Sequence, residues 1–215
     1  MTQASPDPRM VALIMTLRQR GVADPRVLAA IESVPRDAFT PPDLERLAYA
    51  DQALPVACGQ TISQPLVVAT MTEALDVAPD HRVLEVGTGT GYQTAILAGL
   101  ATRVHTIERW RTLLGTARAR LAGLGIDTVE YRLGDGFDGW PEAAPFDRIM
   151  VTAAAPARPD ALIEQLGEGG VLIAPVGGKS GQRLMRYVKT AKDVEATALA
   201  PVRFVPLLKG VAETA

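Results

Sequence analysis

One cysteine, two histidines and no asparagine stand among the 215 residues. The lone Cys58 excludes an intramolecular disulfide and any zinc site built from several thiolates, and no metal site is expected. A reducing cytoplasm is the default compartment for such a chain. Without asparagine there is no glycosylation sequon. His81 reads as part of a polar turn and His105 as the middle of a strand, so packing or exposure explains both, and a Ser-His-Asp hydrolase finds little support. Lysine is scarce beside arginine, but the formal net charge is −2 and no basic run occurs. Nothing electrostatic therefore points to nucleic acid. No run approaches the ~18 consecutive apolar residues of a membrane span, so no membrane partner is expected. Met1-Thr2-Gln3-Ala4-Ser5-Pro6 has no basic segment followed by an apolar core, so no signal peptide is read there.

What is present begins with helix signals. Asp7-Pro8 and Asp24-Pro25 each pair an N-cap acceptor with a proline at the first helical position. Met10, Val11, Ile14 and Leu17 then recur at helical spacing, as do Val27, Leu28, Ile31 and Val34 before Pro35 ends the second helix. Thr40-Pro41-Pro42 opens a third short helix through about Ala50. Residues 51–64 form a connection without periodicity, and Pro65 to Val77 is helical again. From Arg82 onward short apolar strands alternate with helices. The strands are Arg82–Val86, Arg103–Glu108, Val129–Leu133, Phe146–Thr152 and Gly170–Val176. The helices cover Tyr92–Ala101, the stretch carrying Leu113, Ala117, Leu121 and Leu124, and about Pro159–Leu166. This alternation predicts an α/β domain with a parallel sheet covered on both faces. Arg183–Lys189 and Leu199–Leu207 read as a final antiparallel strand pair. One domain over 1–215 is expected, with a helical portion over 1–80 and a Rossmann-like core over 81–215.

Gly87-Thr88-Gly89-Thr90-Gly91 lies between the first core strand and its helix, where glycines permit a tight turn and close approach of a ligand. A simple strand–helix turn is the alternative. The dinucleotide pattern requires glycine where Tyr92 stands, which disfavours a nicotinamide dehydrogenase. Glu108 closes the second core strand, where a carboxylate can accept from both ribose hydroxyls; an ordinary strand-end acid is the alternative. Asp135-Gly136 follows the third strand, as a ligand contact or as a plain Asp-Gly turn. Together with Glu85 these acids predict a crevice suited to a positively charged adenosine ligand rather than a pyrophosphate, and S-adenosylmethionine has that character. Gly177-Gly178-Lys179-Ser180 resembles the end of a P-loop, but Ile173 stands where the motif needs glycine, so a turn between strands is expected.

These stretches, with Val34-Pro35-Arg36, Gln60-Thr61-Ile62-Ser63-Gln64-Pro65, Val151-Thr152-Ala153-Ala154-Ala155-Pro156 and Val202-Arg203-Phe204-Val205-Pro206-Leu207, resemble the protein-L-isoaspartate O-methyltransferase family over nearly the whole chain. The glycine loop is shared by many methyltransferases. The Gln60–Ser63 stretch before a proline-headed helix is much more specific. The resemblance implies a class I S-adenosylmethionine-dependent methyltransferase fold, mostly parallel and seven-stranded. It also implies methylation of the free α-carboxylate of L-isoaspartyl residues in damaged proteins, with S-adenosyl-L-homocysteine as product. By position Ser63 matches the active-site serine, and Gln60, Thr61 and Ile62 a loop closing over cofactor and substrate. Glu108 matches the ribose-binding acid, and Asp135 with Gly136 the adenine side. Cys58 and Leu208 depart from the family pattern, and Leu208 is left out of the site.

The chemistry agrees, since a carboxylate with a pKa near ~4 is ionised at neutral pH and needs no general base. Ser63 is expected to donate to the substrate carboxylate; capping the helix that opens at Pro65 is its other reading. Thr61 is placed beside it. Ala154 and Val205 are expected to offer main-chain groups to an extended peptide by strand addition. Arg111, Arg118 and Arg120 read as a solvated helix face. A monomer is the working expectation. The rival readings are a methyltransferase acting on nucleic acid or a small molecule, and a non-catalytic binding module that keeps the fold.

Overall fold

The aspartate–proline pairs do start the first two helices. Asp7 Oδ1 accepts from the Arg9 amide at 2.8 Å ahead of α1 (Pro8–Gln19), and Asp24 Oδ1 accepts from the Arg26 amide at 2.8 Å ahead of α2 (Pro25–Ser33). The computed structural model describes residues 7–212, so the Met1–Pro6 reading lies outside the described residues. The expected third helix is instead a 3-10 turn, Pro42–Leu47, and a further 3-10 turn, Arg36–Phe39, precedes it. The Pro42–Leu47 turn buries none of its residues, and its closing bonds skip three residues (Leu44 N to Pro41 O at 2.9 Å), so no apolar face extends it. The 51–64 connection holds a small antiparallel hairpin of β1 (Leu54–Pro55) and β2 (Thr61–Ile62). Helix α3 (Pro65–Leu75) follows at once.

The core then alternates as expected: β3 (Arg82–Val86), α4 (Tyr92–Leu100), β4 (Arg103–Glu108), α5 (Arg111–Gly123), β5 (Val129–Leu133), β6 (Phe146–Val151), α6 (Asp160–Glu164), β7 (Leu166–Gly178), β8 (Gly181–Lys189) and β9 (Val194–Val202). One seven-stranded sheet runs β5-β4-β3-β6-β7-β8-β9, parallel from β5 to β7 and antiparallel beyond. Gly177 and Gly178 end β7, and Gly178 pairs with Gly181 across the turn, so the P-loop look-alike is a hairpin. The last strand begins at Val194 rather than Leu199 and leaves the sheet after Val202. Phe204 is held there by Gln182, which donates to its carbonyl at 3.0 Å and accepts from its amide at 2.6 Å, and Pro206 has no amide to extend a ladder.

Three apolar clusters join the layers. Leu17, Ile31 and Phe39 from the N-terminal helices and turns pack with Tyr92 and Ile96 of α4, so these helices share one core with the sheet's covering layer. Val83, Val104, Met150 and Ile173 fill one side of the sheet. Leu84, Ile107, Phe146 and Leu172 fill the other. His105 is 2% exposed and lies edge-on to Trp140 and Phe146, each centroid 5.3 Å away, as a packed strand residue. His81 Nδ1 accepts from the Ala78 amide at 2.9 Å in the turn before β3.

Candidate active site

Strand order reverses between β3 and β6, and in open α/β sheets the crevice beyond the strand ends at that point receives ligands. Thr152 staples it: its hydroxyl donates to the Gly87 carbonyl at 2.7 Å and its amide to the Val86 carbonyl at 2.9 Å. Gly87 turns with φ 102°, and a Cβ there overlaps the Thr152 hydroxyl. Gly91, with φ 90°, opens α4, and a Cβ there meets Ala117 and Leu121 of α5 at 3.3 Å. Gly91 therefore serves the turn and the packing and does not line the cavity.

The loop amides are engaged within the protein. Gly87 and Thr88 donate to the Ile107 carbonyl at 2.8 and 3.2 Å, and Gly91 to the Thr88 carbonyl at 2.9 Å. Gly89 donates to Glu108 Oε2 at 2.8 Å. A phosphate cradle needs such amides pointing outward, so this loop suits a ligand that approaches glycine backbone without bringing a phosphate. Glu108 is 5% exposed, and its Oε1 accepts from the Trp110 amide at 2.9 Å. Both oxygens are fixed by one amide each and keep further acceptor capacity on the cavity side.

Glu85 belongs elsewhere. It pairs in register with Thr106 of β4, and its Oε2 accepts from the hydroxyls of Thr94 and Thr106, the latter at 2.6 Å. It is wholly buried beneath the loop and absent from the cavity wall, which corrects its placement as a ligand contact. The central position of β3 covers this side chain with α4 instead of opening it to the crevice. Burial pushes its pKa up to about 8, so it is a neutral acid at pH 7. Asp135 lies at the strand end but is absent from the cavity wall, its carboxylate accepting from Phe137 N at 2.8 Å and Gly210 N at 2.6 Å. The cavity wall there is Gly136; a Cβ on it meets Leu207 at 3.2 Å.

The β1–β2 hairpin brings Gln60, Thr61, Ile62 and Ser63 over the crevice, closing about 990 Å³ of space, part of it open to solvent. A second groove of about 1270 Å³ lies on the far side, lined by Ala53, Gln64, Val67 and Arg203 among others. Thr61, Ser63, Phe204 and Val205 line both spaces. Ser63 thus stands at their junction, and its hydroxyl has no hydrogen-bond partner among the described residues. It does not cap α3. That helix starts from Gln64, and Asp51 takes the cap's work by accepting from Leu66 N and Gln64 Nε2, each at 2.9 Å.

A family model described as protein-L-isoaspartate(D-aspartate) O-methyltransferase matches residues 9–212. The chain belongs to that family. It is 57% identical over 206 residues to a Rhodospirillum rubrum protein named protein-L-isoaspartate O-methyltransferase, covering 94% of each chain. A protein of the same name from Maricaulis maris is 53% identical over 207 residues, 96% of this chain and 97% of that one. Among solved structures, one described as this methyltransferase from Plasmodium falciparum, in complex with S-adenosyl-L-homocysteine, superposes with a TM-score of 0.82 at 26% identity. That match covers 94% of this chain and all of the other, and the fold is the class I methyltransferase fold.

Within this family member, strand addition at Ala154 does not hold as expected. The Ala154 amide donates to the Val205 carbonyl at 2.8 Å, and the Leu207 amide donates to the Ala154 carbonyl at 2.8 Å. The two segments pair with each other, and Ala154, 3% exposed, lines neither space. Val205 remains as wall. Arg120 is also no solvated residue: it donates to the Thr90 carbonyl at 2.6 Å, with its guanidinium 5.5 Å from the Phe39 centroid. Sequence reading missed Trp110, Phe204 and Leu208, all of which line the cavity. Leu208, which departs from the family pattern, belongs to the wall all the same. Cys58 sits in the hairpin turn with φ 59°, its sulfur 3.4 Å from the Thr112 hydroxyl, as a loop residue.

Proposed function

We propose that this chain is a protein-L-isoaspartate O-methyltransferase. It transfers a methyl group from S-adenosyl-L-methionine to the free α-carboxylate of L-isoaspartyl residues in damaged proteins and peptides. The observation that carries this reading is the junction at Ser63, where a cavity suited to an adenosine ligand opens into a separate groove that can hold a peptide. The cavity fits the cofactor because its glycine amides are already engaged and its acid, Glu108, is held as a hydrogen-bond acceptor.

Bound S-adenosyl-L-methionine supplies an activated methyl group, leaving S-adenosyl-L-homocysteine when the carbon–sulfur bond breaks and a carboxylate oxygen–carbon bond forms. The chain's own residues position and exclude water. Glu108 accepts from the ribose hydroxyls, and Gly87 and Gly89 allow close approach of the ligand. Gly136 forms the adenine side. Gln60, Thr61 and Ile62 cover the cofactor. Ser63 donates its free hydroxyl to one carboxylate oxygen while the other faces the methyl. The substrate carboxylate is ionised at neutral pH, so no base is needed. Holding the partners at reacting distance contributes several kcal/mol, with ~7–11 kcal/mol as the upper range.

Cytoplasmic placement and a monomeric state complete the proposal. Among the described residues no helix is long and apolar enough to cross a membrane. A test uses a globular protein aged to accumulate isoaspartyl sites beside a fresh preparation. Labelled methyl is expected in the aged protein in proportion to its isoaspartyl content; equal labelling of both preparations overturns the assignment.

A further inference from the structure

Arg36 is fully buried, and among the described residues it makes no salt bridge. Burial pulls its pKa below the ordinary guanidinium range. Its fork reaches two separate stretches of main chain, with Nε donating to the Ala48 carbonyl at 2.7 Å and Nη2 to the Ser63 carbonyl at 2.7 Å. Its plane lies over the Tyr92 ring, 4.7 Å from the centroid. Nη1 and the Tyr92 hydroxyl are both buried without a well-aligned hydrogen bond, and the guanidinium and the hydroxyl have each other as polar neighbours. A buried cation with no carboxylate in hydrogen-bond contact, and only the field of Asp51 nearby, is a poor source of stability, because desolvation outweighs what these neighbours return. The arrangement makes better sense as geometry. Ser63 lines both spaces and Tyr92 lines the cofactor cavity, so one rigid group ties the junction to the cavity wall.

We propose that Arg36 is a positioning residue for methyl transfer, fixing the Ser63 main chain so that the Ser63 hydroxyl is aimed across the junction. This rests on the reading above that Ser63 contacts the substrate carboxylate. Two donors aimed at two separate carbonyls from one plane that also stacks on the Tyr92 ring are what lysine cannot reproduce, since its ammonium reaches one carbonyl and does not stack in the same way. The tether matters because the hydroxyl itself has no partner to hold it.

The test is a cycle of Arg36→Lys, Ser63→Ala and the double variant, measured at 10 °C with an isoaspartyl peptide. Cofactor-product Kd and melting temperature are recorded for each. Arg36→Lys keeps the charge and one carbonyl contact; Arg36→Gln, neutral but still a donor, repeats the comparison without a buried charge. Either substitution is expected to lower kcat about tenfold in the parent while leaving the Kd for S-adenosyl-L-homocysteine within about twofold. In the Ser63→Ala background the same substitution is expected to change kcat by less than about twofold, because the group it aims is gone. A lowered melting temperature with unchanged kcat overturns the proposal, as does the same kcat loss in both backgrounds. If Ser63→Ala alone leaves kcat unchanged, the reading of Ser63 fails first and Arg36 falls with it. That outcome is distinct from an Arg36 effect that ignores Ser63.

Discussion

Replacing Glu108 with alanine removes two things at once. The side chain anchors the Gly89 and Trp110 amides at 2.8 and 2.9 Å, and in the proposed complex it accepts from the ribose. Hydrogen bonds to a charged group are each worth ~1.5–3 kcal/mol, so loss of one such ligand contact weakens binding about 10- to 150-fold. Freeing the half-buried Gly89 amide adds to that, because an unsatisfied donor costs a further ~1–3 kcal/mol unless water reaches it. Glu108→Gln separates the contributions. The amide oxygen still accepts from one neighbour, so the loop is partly held, while the charge is lost. Titration calorimetry with S-adenosyl-L-homocysteine is the assay, with thermal melting as the control for the loop. The expected order is wild type tightest, Gln intermediate and Ala weakest by at least tenfold. Alanine binding within twofold of wild type, with the protein folded, refutes the placement of Glu108 against the ribose.

Other expectations concern the same region. Ser63→Ala lowers kcat at least tenfold while melting temperature and cofactor Kd stay near wild type, since Asp51 and not Ser63 caps α3; a stability loss with normal turnover contradicts this. Asp51→Ala gives the complementary result, a loss of ~1 kcal/mol in denaturant unfolding from the missing cap. Glu85 titrates in the opposite sense from a paired surface acid. Its folded pKa is raised from 4.5 to about 8, so its contribution to stability is fully present below pH 4.5 and is lost as pH rises to about 8. Glu85→Gln, which mimics the neutral acid, is therefore expected to flatten the fall in melting temperature between pH 5 and 8, and an unchanged slope refutes the raised pKa.

The helices and central strands were legible because their signals are local. Asp-Pro starts, helical spacing and runs such as Val83-Leu84 need no knowledge of partners. The β1–β2 hairpin was not, since two-residue strands carry no period. The start of β9 was missed because Glu195, Ala196 and Thr197 lie exposed on an edge strand and lack a buried face. Side-chain direction was the limit within the site. Glu85 and Glu108 are both acids at the end of a core strand, yet one is roofed by α4 and the other is held at the cavity by two amides. The partners of Arg36, Asp51, Arg120 and Gln182 are carbonyls, amides and rings 12 or more residues away. No spacing pattern carries that information. Ala154 failed for the same reason, because its main-chain groups meet Val205 and Leu207 only once the chain returns.

The central claim is most directly tested with two peptides that differ only in isoaspartyl or aspartyl linkage at one position, each incubated with the protein and S-adenosyl-L-methionine carrying a labelled methyl. The account predicts base-labile label on the isoaspartyl peptide, localised by mass spectrometry to its α-carboxylate, and none on its twin. Equal labelling of both peptides, or label at any other group, contradicts it.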